Sequence, residues 1–464
     1  MNLSHEEEEN FISIYKYESM LKTNKVFFFD SDEFEEIIIH YIQTGRLNLA
    51  KKALVLAMEQ HPKVIAIHLL EIELLIFDDK LDIAEKKLSA IFAIEPNNEE
   101  AFIQKANICS KKSQHKEAIE HLQTALNLTD ELADIYSMIG MEYLFLDDLE
   151  NAKSCFIKCI EEDPDDFGTL YNIVHCYDFL DQTEEAILFL ETFIESNPYN
   201  EVAWHQLGRQ NFILKNYEKA IWAYDYAILI DETFVGSIME KARALEKIKK
   251  YKEAIVCYEL TLKLEDPSSY AYLRMGKCYE KLKKKDLALS YYLKVIHEDP
   301  LLDKGWIALT DFYLRKDDFN KALYYLNQAL EIDEQNPMYW KRFAAINSNL
   351  DQYEEAEEGY KKAIECGDIQ LETFLLRADI LYLLGEFKTA IEVIDYALLH
   401  HKNSPDLLYR IAGYCFLIKE NEEAKIHLKK ALKIDFKNRI LLKTMFPEIW
   451  EMEELQIFIN KQKK

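Results

Sequence analysis

An all-α solenoid of stacked helix pairs is the fold class this sequence predicts, and three observations predict it. An alanine recurs every 34 residues without a break, at Ala50, Ala84, Ala118, Ala152, Ala186, Ala220, Ala254, Ala288, Ala322, Ala356, Ala390 and Ala424. Only 36 alanines occur in 464 residues, so twelve hits at one spacing mark a stack of identical supersecondary units. Apolar residues inside each period fall at helical spacing. Composition agrees: Gly and Pro number 11 and 9, hydrophobic residues reach 49% and charged ones 30%, which suits a long helical chain and opposes disorder. A length that would otherwise imply about three domains fits one array, because each unit packs only on its neighbours.

Residues 1–30 precede the period. The acidic run Glu6 to Glu9 suits a helix N-terminus, where negative charge meets the helix dipole favourably. Phe11, Ile12, Ile14 and Tyr15 then describe a short amphipathic helix, and Val26 with Phe27 to Phe29 forms an apolar patch expected to be covered. The segment reads as an acidic N-terminal cap on the first unit, with a partner-binding arm as the alternative.

Residues 31–438 divide into twelve 34-residue units with no insertion. In unit 133–166, Tyr136, Ile139, Gly140 and Tyr143 stand at i, i+3, i+4 and i+7 of a first helix. Asp147-Asp148 breaks it, and Ala152, Phe156 and Cys159 share one face of a second helix that stops before Pro164. The phasing repeats in Trp204, Leu207, Gly208, Ala220, Tyr224 and Ala227, and again in Tyr272, Met275, Gly276, Tyr279, Ala288 and Tyr292. Gly140, Gly208 and Gly276 are expected to let the two helices of a unit approach closely. Eight prolines (Pro62, Pro96, Pro164, Pro198, Pro267, Pro300, Pro337, Pro405) fall at or within two residues of a unit boundary. Residues 439–464 leave the period, yet Leu441, Leu442, Met445, Phe446, Ile449, Trp450, Leu455 and Phe458 are too apolar for a free tail. A capping helix opened by Pro447 is expected there, with Lys461 to Lys464 frayed.

This large-large-Gly-Tyr first helix and Ala-aromatic-Ala-Pro second helix, repeated over 31–438, resembles the tetratricopeptide repeat family. The signature loosens where position 8 of the unit is bulky (Ile38, Ile72, Val174) and where the terminal proline is missing. The resemblance implies a right-handed superhelix whose first helices line a concave groove. It does not extend to the family's chaperone-binding carboxylate clamp, since Lys341 and Arg342 are followed at position 9 by Ala345 rather than Asn. The asparagine ladder of the glycosyltransferase superhelices is also missing.

The formal charge of −27, from 56 Lys/Arg against 83 Asp/Glu, argues against nucleic acid and anionic membranes as partners. No run of 18 apolar residues predicts membrane insertion, and MNLSHEEEEN lacks the basic and apolar regions of a secretory signal. The eight cysteines show no framework spacing; Cys155 and Cys159 lie one helical turn apart without a second pair. Small buried thiols in a reducing cytoplasm are the expectation. No phosphate loop, dinucleotide fingerprint, zinc helix or nucleophile elbow is present, so neither catalysis, a cofactor nor a metal is expected.

Binding residues are expected on the first helices, where positions 2, 5, 9 and 12 form a stripe beside the packing stripe. Position 9 carries His175, Arg209, Arg243 and Lys277 in successive units, with His205, Arg274, Lys304, Lys341 and Arg342 nearby. Residues 235–302 hold 14 Lys/Arg against 10 Asp/Glu within the acidic chain. Earlier units supply Met141, Leu144, Phe145, Tyr171, Asn172, Phe179 and Phe212 instead. The expectation is a cytoplasmic, non-catalytic interaction scaffold that binds a peptide or protein segment, acidic with a hydrophobic anchor, through charge-assisted hydrogen bonds and an aromatic pocket. The competing reading is that these charges pair internally on a solvated face. The functional alternatives are a regulator that changes superhelix shape on binding a peptide or small anion, and a self-associating structural component.

Overall fold

The computed structural model describes residues 5–23, 26–264 and 268–462, and side chains from Ile12 onward. The side chains of Glu6 to Glu9 and of Phe11, together with Pro267 and the last two lysines, lie outside what is described. The described residues form twenty-eight α-helices and one 3-10 turn, with no strand, and consecutive helices pack in pairs. No described helix is long and apolar enough to cross a membrane. Packing divides the chain into two bodies, Met1–Glu240 and Lys241–Lys464, with the division inside helix Val235–Lys247.

Each unit is built the same way. In unit 167–200 a first helix, Phe167–Phe179, and a second, Thr183–Ser196, are joined by three residues. So short a connection makes the two antiparallel neighbours. All twelve periodic alanines are fully buried, at 0% exposure, where the second helix meets the first. In five units a buried ring stands four residues further on (Phe156, Tyr224, Tyr258, Tyr292 and Tyr360), and in the other seven a leucine or isoleucine takes its place. A Cβ added to Gly140, Gly208 or Gly276 would stand 2.5 Å from the ring of Phe156, Tyr224 or Tyr292 respectively. The glycines are therefore required by close approach, as expected. Where position 8 is bulky instead, Ile38, Ile72 and Val174 are still buried.

The turn inside each unit has a feature with no sequence signature. Position 15 is left-handed in all twelve units, with φ between 55° and 78°. Only Gly45 and Gly385 are glycines; the others are Asp79, Ser113, Asp147, Asp181, Lys215, Lys249, Lys283, Asp317, Asp351 and Lys419. Position 16 then donates its N–H to the carbonyl of position 11, as Asp148 does to Tyr143 and Lys284 to Tyr279, both at 2.9 Å. This six-to-one bond is the Schellman closure of a helix C-terminus, and it requires a left-handed residue.

Between units the chain is capped. Asn98 and Asn200 accept from the N–H of Ala101 and Ala203 at 2.8 Å, and Asp166 from Thr169 at 3.0 Å. Pro62, Pro96, Pro164, Pro198 and Pro300 sit in these inter-unit turns, whereas Pro337 and Pro405 open helices. A first helix tolerates proline at its start because that N–H has no helical partner.

The N-terminal helix His5–Thr23 is rotated from the expected phase. Tyr17 and Met20 are buried with Ile14 packed beside them, while Ile12 and Tyr15 face solvent. The reason is tertiary: Tyr17 lies 6.0 Å from the rings of both Phe29 and Tyr41. The apolar patch after it is covered only on alternate residues. Phe29 is buried and Phe27 half-buried, but Val26 and Phe28 are exposed. Gln60 holds this strap by donating to the Phe27 carbonyl at 2.9 Å and accepting from the Phe29 N–H at 3.1 Å.

Where one capping helix is expected over 439–464, the described residues form three short helices, Ile440–Met445, Pro447–Trp450 and Glu453–Lys461. Pro447 disfavours helical geometry at the residue before it, and Phe446 accordingly has φ −129° and ψ 64°. Phe446 is buried against Gly413, with its ring 5.2 Å from Tyr414 and 5.5 Å from Tyr382. Leu442, Ile449, Leu455 and Ile459 are buried with it.

Candidate functional site

The N-terminal body carries an apolar surface on its first helices. Met141, Tyr171, Phe145 and Phe179 are exposed, the last two at 62% and 68%. Asn172 approaches the Met141 sulfur at 3.9 Å, and the His175 ring lies 4.5 Å from that of Phe179. The structure therefore pairs these residues across and along adjacent units. Leu144 and Phe212 do not belong to this surface: Leu144 packs on the core, and Phe212 is half-buried with its ring 5.3 Å from Tyr217. Sequence reasoning missed Phe77 and Ile213, which are also exposed. They share position 13 with Phe145 and Phe179, so the 34-residue period could have found them.

The expected basic row is largely spent within the fold. Arg209 donates to Asp178 at 2.7 Å and contacts Gln206 at 3.4 Å, while Gln210 bonds the other Asp178 oxygen at 2.9 Å. His205 shares a hydrogen bond with Ser237 at 2.9 Å and packs 5.0 Å from the Phe234 ring. Burial, and then the nearby Arg209 guanidinium, push its pKa down to about 4, so it is neutral near pH 7. His205 is thus a packing histidine and not a rung of positive charge.

In the C-terminal body the carboxylates are saturated first. Glu246 receives the Arg274 fork at 2.9 and 2.7 Å and the Tyr258 hydroxyl at 2.6 Å. Glu280 receives Arg315 at 2.6 Å and the Tyr292 hydroxyl at 3.0 Å. Asp311 receives Arg342 at 2.7 Å. Lys341 bonds Glu372 at 2.8 Å and Gln370 at 3.3 Å, and Arg243 is half-buried with a partner of its own. The more exposed of these pairs, such as Arg315 with Glu280, stabilise by only about 0–1 kcal/mol. Their larger effect here is to engage Glu246, Glu280 and Asp311, each with at least one internal donor.

What remains is a cleft of about 350 Å³ lined by Glu246, Lys247, Tyr251, Arg274, Lys277, Glu280, Lys281, Tyr292, Ala308, Asp311 and Arg315. Among the described residues no carboxylate pairs with Lys247, Lys277 or Lys281. The Lys277 side chain is exposed overall, but its ammonium is partly desolvated. That desolvation, and then the positive charge of Arg274, hold its pKa below the ordinary lysine value, against the smaller opposing pull of Glu246 and Asp311. Lys304 is exposed nearby.

The eight thiols are free, six of them buried, and no described cluster of three or more His, Cys, Asp or Glu is arranged to hold a metal.

Family models described as tetratricopeptide repeats match residues 99–131, 133–166, 167–200, 304–336 and 405–438, and a second such model matches 270–301. Over 150 residues the chain is 25% identical to anaphase-promoting complex subunit 3 of Schizosaccharomyces pombe, covering 32% of this chain and 23% of that protein. Over 108 residues it is 31% identical to Hsp70-Hsp90 organizing protein 3 of Arabidopsis thaliana, covering 21% and 19%. The chain thus spans about a fifth of the length of these curated relatives. A solved structure, the C-terminal part of a repeat protein from Cytophaga hutchinsonii, shares 16% identity at a TM-score of 0.44, covering 52% of this chain and 99% of that one. No enzymatic family is indicated by the family-model matches. With the helix pairs, buried alanines and glycine–ring contacts repeating at 34 residues, the chain belongs to the tetratricopeptide repeat family.

Proposed function

We propose that this chain is a non-catalytic interaction scaffold, acting in the cytoplasm, whose first-helix faces bind protein segments that combine acidic side chains with an apolar anchor. The Lys277 cleft carries the reading. Its three carboxylates already hold side-chain donors, while among the described residues none forms an ion pair with its three ammonium groups, so an incoming carboxylate displaces no internal ion pair. Partial desolvation strengthens that attraction relative to water. By itself, the N-terminal body exposes Met141, Phe145, Tyr171 and Phe179, the kind of aromatic surface on which an apolar side chain gains most. The free thiols are in keeping with a reducing compartment.

Peptide display against the full chain tests this. Enriched sequences should be rich in Asp and Glu with at least one large apolar residue. Lys277→Glu should weaken a selected acidic peptide at least roughly tenfold, the 1.4 kcal/mol of one charged contact, with helicity unchanged. Arg209→Glu should have less effect on peptide binding, because Arg209 is engaged with Asp178. Enrichment without acidic bias, or an unchanged affinity for Lys277→Glu, refutes the cleft.

A further inference from the structure

The last unit reverses the charge of the chain. Residues 424–443 hold seven Lys/Arg and a single Asp, within a protein of net charge −27. Lys425 is tied to Glu422 at 2.9 Å. Others meet at a cleft of about 420 Å³ on the second-helix side, apart from the first-helix faces described above. His427, Lys430, Lys433 and Ile434 of helix Asn421–Ile434 face Lys402 and Asn403 of the preceding inter-unit turn there. Leu398 and Leu408 complete its apolar lining, and no carboxylate contributes. All three lysines are exposed, and none has an ion-pair partner among the described residues.

His427 adds the second observation. Its Nδ1 is buried with no hydrogen-bond partner among the described residues. Burial lowers its pKa; Asp395 on helix Phe387–His400 and Glu423 on its own helix oppose this, and Lys430 reinforces it. Complementing the helix dipoles would account for Lys402 and Lys433, which follow or close a helix C-terminus. It does not account for an unsatisfied imidazole in the same lining. A buried polar atom without a partner costs about 1–3 kcal/mol and calls for an explanation.

We propose that this cleft is an oxyanion site, taking a phosphate or a side-chain carboxylate among Lys402, Lys430 and Lys433 beside His427. Three like charges converging on one partly apolar cleft repel one another, and a bound anion relieves that repulsion. Protonation of His427 then becomes favourable, because a neighbouring negative charge stabilises the imidazolium.

The imidazole resonances of the full chain report on this directly, with His427 assigned through His427→Gln. One titration uses inorganic phosphate and a second a glutamate-rich peptide, each at ionic strength held constant with chloride so that screening does not change. The expected result is a saturable shift of the His427 signal and a pKa raised by about one unit. Lys402→Gln combined with Lys433→Gln should abolish both while leaving the circular dichroism unchanged, since both side chains are exposed. A response to phosphate assigns a free anion, and a response to the peptide alone assigns protein carboxylates. His427 unmoved by either, or moving no more than the 86% exposed His297, overturns the proposal.

Discussion

Position 15 of the units offers a test in which the sign, not only the size, depends on the structure. Lys215, Lys249, Lys283 and Lys419 hold φ of 64°, 65°, 61° and 68°. All four side chains are exposed and enter no ion pair among the described residues, so substitution removes little but backbone strain. Left-handed geometry costs an L-residue about 1–2 kcal/mol. Glycine removes that cost but returns about 0.5–1 kcal/mol through its freedom in the unfolded chain. The net expectation is a gain of about 0.5 kcal/mol per turn for Lys→Gly. The four turns are far apart in sequence and share no partner, so their effects should add to about 2 kcal/mol.

Urea denaturation of the single variants and the quadruple variant, followed by circular dichroism, measures this. Repeat arrays depart from two-state unfolding, so midpoints compared at equal slope are the safer readout. Were these lysines helical, each glycine would instead cost about 1 kcal/mol. A quadruple variant with a lowered midpoint refutes the left-handed turn.

Three further outcomes are expected. Ala220→Leu should destabilise by about 1–3 kcal/mol in the same urea assay, because the alanine is fully buried and the added atoms have no room. Glu246→Ala leaves the Arg274 fork and the Tyr258 hydroxyl unpaired together, costing about 2–3 kcal/mol after allowance for partial exposure; adding Arg274→Ala and Tyr258→Phe should recover part of the loss. His205 titrates at about 4 when folded against an ordinary value of 6.5. The unfolded chain therefore binds its proton first, and stability should fall as pH drops from about 6.5 to 4, by at most about 1.4 kcal/mol per pH unit from this residue. His205→Gln should flatten that part of the pH profile, and an unchanged slope would place the proton elsewhere.

The parts of this molecule most legible in its sequence are those set by contacts inside one 34-residue unit. Ala152, Phe156 and Gly140 meet because helical periodicity and a three-residue turn leave them no other arrangement. Their residue types record it, since only a small side chain admits the ring. The candidate site was legible only as positions. His175, Arg209 and Arg274 do stand on first helices, but the sequence could not say whether each charge faces an empty acceptor or an occupied one. Arg209 with Asp178 and Arg274 with Glu246 are pairs between adjacent units, 31 and 28 residues apart. A chain with 83 Asp and Glu residues offers many such partners. The left-handed turns were invisible for a different reason: aspartate, serine and lysine can hold that geometry at modest cost, so no glycine marks it.

The sequence by itself determined the repeating unit, its register and the helix faces that become core. Those follow from local periodicity, and they recur twelve times under the same constraint. The tertiary structure alone decided the phase of the N-terminal helix, the breaking of the C-terminal cap into three pieces, and which cations stay unpaired. Each depends on what a neighbouring element presents: Phe29 and Tyr41 to Tyr17, Gly413 to Phe446, and saturated carboxylates around Lys277. A side chain's own neighbours in the chain do not carry that information, because burial and pairing are properties of the assembled surface.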